Sequence, residues 1–141
     1  MYVFVYGTLR AGEANDIGDV ARRHGLPEPR RVETTTVPGT LHDFGNYPGW
    51  VPNDEAATLV VGDVYDVAPN LIPILDDIEE VYPGRPGLFT RTTLSLPCAG
   101  AMLLCMAYPV DPSVAATRPV IEGGDWVAYR RSGPVRPNPI P

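Results

Sequence analysis

The chain opens on a hydrophobic run, Tyr2-Val3-Phe4-Val5-Tyr6, whose lack of polar residues predicts a β-strand buried on both faces. Gly7 ends the run, because glycine takes backbone angles closed to other residues and lets a second molecule approach closely. Thr8, Leu9 and Arg10 then present successive backbone N–H groups, an arrangement suited to holding carboxylates or carbonyl oxygens. A strand followed by an ordinary tight turn is the alternative interpretation.

Two later segments have the hydrophobic spacing of amphipathic helices, residues 14–23 and a segment that starts after Asn70. Their apolar faces are formed by Ile17, Val20 and Ala21 and by Leu71, Ile74, Leu75 and Ile78. Asn15 and Asn70 stand where an N-cap is needed, and asparagine is a preferred N-cap residue. The spacing therefore predicts two short helices.

Strand patterns occupy residues 32–41, 58–67, 88–96 and 101–108. The last two are close enough to form a hairpin, and Gly62 indicates a bulge or a close approach within the second. Between the first two, residues 43–50 combine turn formers with aromatic side chains. This segment predicts an irregular loop in which Tyr47 and Trp50 form either a lid over a site or a plug on the core.

The order of these elements is strand, helix, strands, helix and hairpin, which indicates a mixed α/β or α+β domain with a curled sheet. With 141 residues, the chain predicts a single domain over residues 1–130. Buried anchors are expected near Ile121 and Trp126. The proline-rich residues 131–141 predict a tail that is frayed or extended along the surface.

The amino-acid composition argues against several classes of function. A net charge of −6 disfavours nucleic acid, and no apolar run approaches the roughly 18 residues of a membrane span. We see no secretory signal before the first strand and expect a cytoplasmic protein whose Cys98 and Cys105 are reduced, buried hydrophobes. The absence of lysine excludes a Schiff-base mechanism. With two histidines, of which His42 is expected in a loop, the spacing predicts no metal site.

Four carboxylates crowd the end of the second predicted helix. At about 100° per residue, Glu79 lies roughly 90° from the middle of the apolar stripe and Asp77 about 110°, whereas Asp76 and Glu80 point outward. Glu79 also stands in the last turn, where the helix dipole disfavours an ionised carboxylate. A raised pKa suits a group that takes and gives protons near neutrality. A solvated acidic helix face is the alternative.

Several segments together resemble one family, in one order from residue 3 to about residue 126. They are Val3-Phe4-Val5-Tyr6-Gly7-Thr8-Leu9-Arg10, Gly39-Thr40-Leu41, Gly45-Asn46-Tyr47-Pro48-Gly49, Val61-Gly62-Asp63-Val64-Tyr65, Leu75-Asp76-Asp77-Ile78-Glu79, Leu88-Phe89-Thr90-Arg91 and Gly124-Asp125-Trp126. On these segments the chain resembles the γ-glutamylcyclotransferase-like proteins, which include γ-glutamylamine cyclotransferases and AIG2-like proteins. The resemblance implies a small, curled, barrel-like mixed sheet with two or three short helices.

The resemblance also implies an activity: the α-amine of a γ-glutamyl group attacks its own γ-amide carbonyl, releasing 5-oxoproline and a free amine. No cofactor or metal is expected, because the reaction is intramolecular, and the expected partner is a small γ-glutamyl substrate. Glu79 would be the general acid and base. The substrate would be bound at Tyr6, Gly7, Thr8, Leu9, Arg10, Tyr47 and Arg91.

Two positions depart from the family pattern. Glu80 stands where glycine is common, which places a second charge beside Glu79, and Phe89 stands where tyrosine is common. Arg91 is expected either to bind an acidic substrate or to pair with nearby carboxylates. A non-catalytic protein that binds a small metabolite in the same pocket is the alternative to an enzyme.

Overall fold

Six strands and four short α-helices make up the described part of the chain, which in this computed structural model is residues 1–82, 84 and 86–132. In chain order they are β1 (Tyr2–Val5), α1 (Ile17–Arg23), β2 (Arg30–Asp43), β3 (Pro48–Pro52), β4 (Leu59–Asp66), α2 (Ile72–Ile78), β5 (Thr92–Cys98), β6 (Ala101–Ala107), α3 (Pro112–Ala115) and α4 (Trp126–Ser132). A 3₁₀ turn, Pro69–Leu71, leads directly into α2.

The strands form one mixed sheet in the order β3-β2-β4-β1-β6-β5. Only the β1–β6 pair is parallel; the other neighbours are antiparallel. The sheet curls until β2 meets the β5–β6 hairpin, where the Thr35 hydroxyl donates to the Pro97 carbonyl at 3.0 Å. The Ala99 N–H donates to the Glu33 carboxylate at 3.0 Å. The predicted curled, barrel-like α/β architecture is confirmed.

The first strand is buried on both faces, as its unbroken hydrophobic run predicts. Val3 and Val5 pack with the inner faces of α1 and α2, whereas Phe4 and Tyr6 pack on the other side of the sheet with Trp50. This alternation follows from the period of two along a strand. It places the end of β1 between the two main parts of the core.

Both predicted helices exist, but their N-termini differ from the prediction. The helix α1 is capped by Asp16, whose carboxylate accepts from the backbone N–H groups of Gly18 at 2.8 Å and Asp19 at 3.2 Å. The predicted cap Asn15 lies one residue outside. Asn70 lies within the 3₁₀ turn, and no side chain caps α2.

The predicted irregular loop over residues 43–50 is partly wrong, because β3 begins at Pro48 and pairs with the end of β2. Trp50 is 1% exposed and packs edge-on against Phe4 and Tyr6, with ring centroids 5.7 and 5.9 Å apart. It is a core residue and not a lid. His42, expected in a loop, is a buried residue of β2, because this strand continues to Asp43.

The other strand predictions hold with shifted bounds. Gly62 lies on β4 beside the end of the neighbouring β1, and a Cβ there would come within 2.6 Å of the Val5 carbonyl oxygen, so the predicted close approach is confirmed. Residues 88–91 precede β5 and contribute a single bridge between Phe89 and Val110. Cys98 and Cys105 are both buried and free, as expected.

The C-terminal region contains two helices that the proline-rich sequence does not reveal. Asp111 caps α3 by accepting from the Ser113 N–H at 2.9 Å. Ile121 and Trp126 are each 3% exposed and are the predicted anchors. The predicted tail lies largely outside the described residues. In the part of the chain described, no helix is long and apolar enough to cross a membrane.

Candidate active site

A cavity of about 460 Å³ opens where β1 ends. Its walls come from the turn after β1, the segment before α1, the turn that leads into β3, the end of α2 and the segment before β5. The lining residues are Phe4, Val5, Tyr6, Gly7, Thr8, Leu9, Ala14, Asn15, Asn46, Tyr47, Pro48, Ile78, Glu79, Glu80, Tyr82, Pro86, Gly87, Leu88, Phe89 and Tyr108. The volume is that of a small-molecule site.

The turn after β1 is held by its carbonyl groups. Those of Gly7, Thr8 and Leu9 accept from the backbone N–H groups of Arg10, Asn15 and Ile17 at 3.0, 2.8 and 3.0 Å. Within the described residues, the N–H groups of Gly7, Thr8 and Leu9 have no hydrogen-bond acceptor. Three backbone donors on the cavity wall are therefore available to an anion or a carbonyl oxygen.

Gly7 is required at this turn by the closeness of β3. A Cβ on Gly7 would lie 2.6 Å from Cγ and 2.8 Å from Cδ of Pro48, closer than real side chains approach. Because the proline ring is part of its own backbone, it cannot swing aside. The turn and β3 thus fit together only when residue 7 has no side chain.

Glu79 is the C-cap of α2 and lines the same cavity, partly buried. Ile72, Leu75 and Glu79 stand at 0, +3 and +7 on one face of α2, and Ile72 and Leu75 are the buried residues of this helix. The apolar stripe taken from the sequence also includes Ile74 and Ile78, which are only half-buried. Glu79 therefore lies on the buried face itself, more inward than the predicted 90°.

Burial raises the pKa of Glu79 to about 7, and the neighbouring Glu80 carboxylate contributes to the rise. The cost of desolvating a charged carboxylate is the main cause. A carboxyl group that titrates near neutrality can both accept and return a proton at neutral pH. The raised pKa inferred from the sequence thus has a structural basis, although burial, rather than the helix dipole, is its principal cause.

Glu80 ends the helix in the left-handed conformation, with φ at +58°. Its N–H donates to the Asp77 carbonyl at 3.1 Å, and the Val81 N–H donates to the Asp76 carbonyl at 2.8 Å. These two bonds form a Schellman motif, whose left-handed position is usually glycine. Glu80 is exposed and lines the cavity beside Glu79.

Two tyrosines line the cavity and are fixed by hydrogen bonds. The Tyr6 hydroxyl donates to the Tyr108 carbonyl at 2.7 Å and accepts from the Trp50 N–H at 3.2 Å. The Tyr108 hydroxyl donates to Asp76 at 2.7 Å. Burial raises the pKa of both tyrosines, so their hydroxyls stay protonated at neutral pH.

Asp76 does not point freely into solvent as the helical wheel predicts, because Tyr108 and Arg91 cover that face of α2. Its carboxylate accepts from both, at 2.7 Å from the Tyr108 hydroxyl and 2.6 Å from the Arg91 guanidinium. Of the two roles expected for Arg91, the structure shows the carboxylate pair. Arg91 is not among the cavity-lining residues described.

Arg10 also lies outside the set of lining residues, whereas the other predicted substrate-binding residues, including Tyr47, are within it. The guanidinium of Arg10 pairs with Asp63 on β4 and with Asp125 before α4, each at 3.0 Å. These ion pairs connect the turn after β1 to β4 and to the segment before α4. Arg10 therefore holds the turn in position without lining the cavity.

Sequence reasoning did not assign four polar lining residues to the site, Asn15, Asn46, Tyr82 and Tyr108. The amide of Asn15, which lines the cavity, donates to the Thr8 hydroxyl at 3.1 Å. Tyr108 lies directly after β6, next to the strand that carries Tyr6, and this position at the end of a predicted strand was its only sequence signal. Among the described residues, no group of three or more His, Cys, Asp or Glu side chains could hold a metal ion.

The fold and the site define a class: small α/β proteins whose curled sheet ends in a cavity of small-molecule size, lined by a carboxyl group and by a turn with free backbone N–H groups. The chain belongs to the family described as "Gamma-glutamyl cyclotransferase, AIG2-like", whose model matches residues 3–128. The resemblance found in the sequence motifs is confirmed. This is a family of cyclotransferase enzymes.

Named relatives agree with this assignment. The chain is 31% identical over 132 residues to the γ-L-glutamyl-butirosin B γ-glutamyl cyclotransferase of Niallia circulans, covering 91% of this chain and 76% of that protein. It is 29% identical over 97 residues to a rat γ-glutamylaminecyclotransferase, covering 67% of this chain but 62% of the relative. The chain thus spans less than two thirds of the rat protein's length.

A solved structure shows the same architecture. The crystal structure of an AIG2-like protein from mouse superposes with a TM-score of 0.71 at 25% identity, covering 99% of this chain and 95% of that one. The agreement extends over the whole curled sheet and not only over the motif at the end of β1.

Proposed function

We propose that the protein catalyses intramolecular cyclotransfer on a γ-glutamyl amide, releasing 5-oxoproline and a free amine, with Glu79 as the general acid and base. The observation that carries this proposal is the meeting of Glu79, whose pKa is raised to about 7, with the free N–H groups of Gly7, Thr8 and Leu9 on one cavity. The names of the relatives support the reaction class.

The turn after β1 supplies orientation. Its three N–H groups hold either the substrate's α-carboxylate or the oxyanion that develops on the γ-carbonyl, without a cationic side chain. Holding the chain of the glutamyl group in a bent conformation brings its amine against its own γ-carbon. Orientation of two groups in one molecule is a large source of rate acceleration.

Glu79 supplies proton transfer. Its carboxylate takes a proton from the α-amine as the new nitrogen–carbon bond forms, which gives a tetrahedral intermediate. The carboxyl group then donates that proton to the leaving nitrogen as the amide carbon–nitrogen bond breaks. The products are the five-membered lactam and the amine, and Glu79 returns to its starting state without an external oxidant or reductant.

The first test is direct turnover. The purified protein is incubated with a panel of γ-glutamyl amides, and 5-oxoproline is followed by mass spectrometry. We expect release from γ-glutamyl donors but none from matched N-acetyl-γ-glutamyl donors, whose α-amine cannot attack. If no γ-glutamyl donor yields 5-oxoproline while some raise the thermal midpoint, the protein is a binding module and the proposal is wrong.

The second test concerns Glu80. Replacing it with glycine is expected to lower the pKa of Glu79, because a like charge is removed, so the acidic limb of kcat/KM against pH moves to lower pH. The same change relieves the left-handed backbone and stabilises the fold by about 1 kcal/mol.

Glu80→Gln separates the two effects of that substitution. It removes the charge but keeps the side chain at φ +58°, so we expect the same pH shift without the gain in stability. Activity profiles and thermal midpoints of the three proteins provide the comparison. A limb that stays in place in both variants would show that Glu80 does not act on the titrating group.

A further inference from the structure

Part of the cavity is not used by the proposed chemistry. The glutamyl group is held between the turn after β1 and Glu79, and the amine half of the substrate must extend beyond the amide bond. The other lining residues include five with large apolar or aromatic side chains, Tyr47, Ile78, Tyr82, Leu88 and Phe89, beside Asn46, Glu80, Pro86 and Gly87. The five large side chains present a surface for the body of the amine.

Tyr47 and Phe89 form the central feature of this surface, and we name the pair the aromatic wall. Their ring centroids lie 5.8 Å apart with an interplanar angle of 59°. Tyr47 stacks in turn on Phe44, at 5.6 Å and 13°, and the Arg118 guanidinium lies 5.1 Å above the Phe44 ring. The wall is therefore the inner face of a continuous stack.

The backbone holds the wall in place from both sides. The Phe44 N–H donates to the Tyr47 carbonyl at 3.0 Å, which closes the turn that carries both rings. On the other side, Leu88 accepts from the Asp111 N–H at 2.8 Å and Thr90 donates to the Pro109 carbonyl at 3.1 Å, so the residues flanking Phe89 are fixed. A preformed surface does not have to be ordered when ligand binds.

The charge of the cavity lining limits which leaving amines can bind. Glu79 and Glu80 are the charged members of the lining in the described residues, and both are acidic. An acidic amine would be repelled by them, whereas an uncharged ring gains from stacking and from leaving water. The wall therefore suits an aryl group better than an acidic one.

We infer, on the basis of the proposed function, that the leaving amine is an arylalkylamine whose ring packs against Tyr47 and Phe89. The two residues determine specificity and take no part in the bond changes. Their role is therefore measured as a preference between a donor whose amine carries a ring and one whose amine does not.

The test compares γ-glutamyl benzylamide with γ-glutamyl methylamide, which share the reacting groups and differ in the ring. We expect wild type to favour the benzylamide by about tenfold or more in kcat/KM, from ring burial and stacking. Tyr47→Leu and Phe89→Leu remove one ring each while keeping apolar volume. Each is expected to lower the preference, measured as the ratio of the two kcat/KM values, by about threefold or more.

Leu104→Ala, at an exposed position on β6, is the matched control and should keep the wild-type preference. Equal kcat/KM for the two donors, or variants that lose both activities equally, would overturn the inference and leave the proposed function standing. Loss of 5-oxoproline from every donor would refute the proposed function instead. In that case the rise in thermal midpoint produced by each donor is measured, and equal stabilisation by both donors would also overturn the role of the aromatic wall.

Discussion

Glu79→Gln is expected to slow the release of 5-oxoproline by at least about 100-fold and, above pH 7, to make the protein more stable than wild type. Glutamine keeps the shape of the side chain on the buried face of α2 but cannot take or return a proton. Loss of a general acid and base costs about 10² to 10⁴ in rate, so kcat should fall by that factor. The measurement is single-donor turnover at pH 8.

The stability half of this prediction follows from the pKa of Glu79, raised from 4.5 to about 7. Glu79 ionises at lower pH in the unfolded chain than in the folded one, so its protonated form stabilises the folded state, and this contribution to the free energy of unfolding is complete below pH 4.5. The contribution is lost as the pH rises through about 7. The shift corresponds to about 3 kcal/mol at most, and partial contact with solvent reduces this to about 1–2 kcal/mol.

Glutamine stays neutral at every pH. The thermal midpoint of wild type should therefore fall between pH 5 and 8, whereas that of Glu79→Gln should not show this fall. Glu122→Gln, the same substitution at an exposed residue, is the control and should follow wild type in both activity and pH dependence. A Glu79→Gln protein that releases 5-oxoproline at the wild-type rate would rule out the proposed acid and base.

Gly7→Ala is expected to lower kcat/KM by about 100-fold, because a displacement of about 1 Å in positioned groups has that effect. The new Cβ would lie 2.6 Å from Pro48 Cγ, so the turn and β3 must separate. The separation moves the three N–H donors away from Glu79. Overpacking of this kind also destabilises a fold by about 1–3 kcal/mol.

Gly123→Ala is the matched control, since a Cβ there meets no atom within 4 Å. Turnover and chemical denaturation of both variants separate the loss of activity from the loss of stability, because activity is measured on the folded fraction. Full activity in folded Gly7→Ala would show that the closeness of the turn and β3 is not needed for catalysis.

The local sequence predicted the structure correctly where the hydrophobic pattern of a single element determines which of its faces is buried. The unbroken run of β1 predicted burial on both faces, and the residues Ile17, Val20 and Ala21 predicted the inner face of α1. The strand β3 was not predicted because its sequence is rich in turn-forming residues. Its conformation is set by pairing with β2, a strand of 14 residues. Tertiary pairing overrides weak local preferences of this kind.

The carboxylates of α2 show the same division. The sequence selected Glu79 among four candidates, but it gave Glu79 only a narrow margin over Asp77. In the structure the buried residues of α2 are Ile72 and Leu75, which share a face with Glu79, whereas Asp77 is exposed. Contacts from Tyr108 and Arg91, distant in sequence, decide the surroundings of Asp76.

The sequence by itself determined the family motifs and the strand that ends at Gly7, and it selected Glu79 as the carboxylate nearest the core edge of α2. The tertiary structure alone decided that Arg10 and Arg91 pair with carboxylates outside the cavity lining and that Tyr47 and Phe89 share a wall. The physical reason is that hydrophobic spacing shows which face of one element is buried, but not which residues of other elements that face contacts. Ion pairs and ring contacts depend on which other elements the folded chain brings alongside.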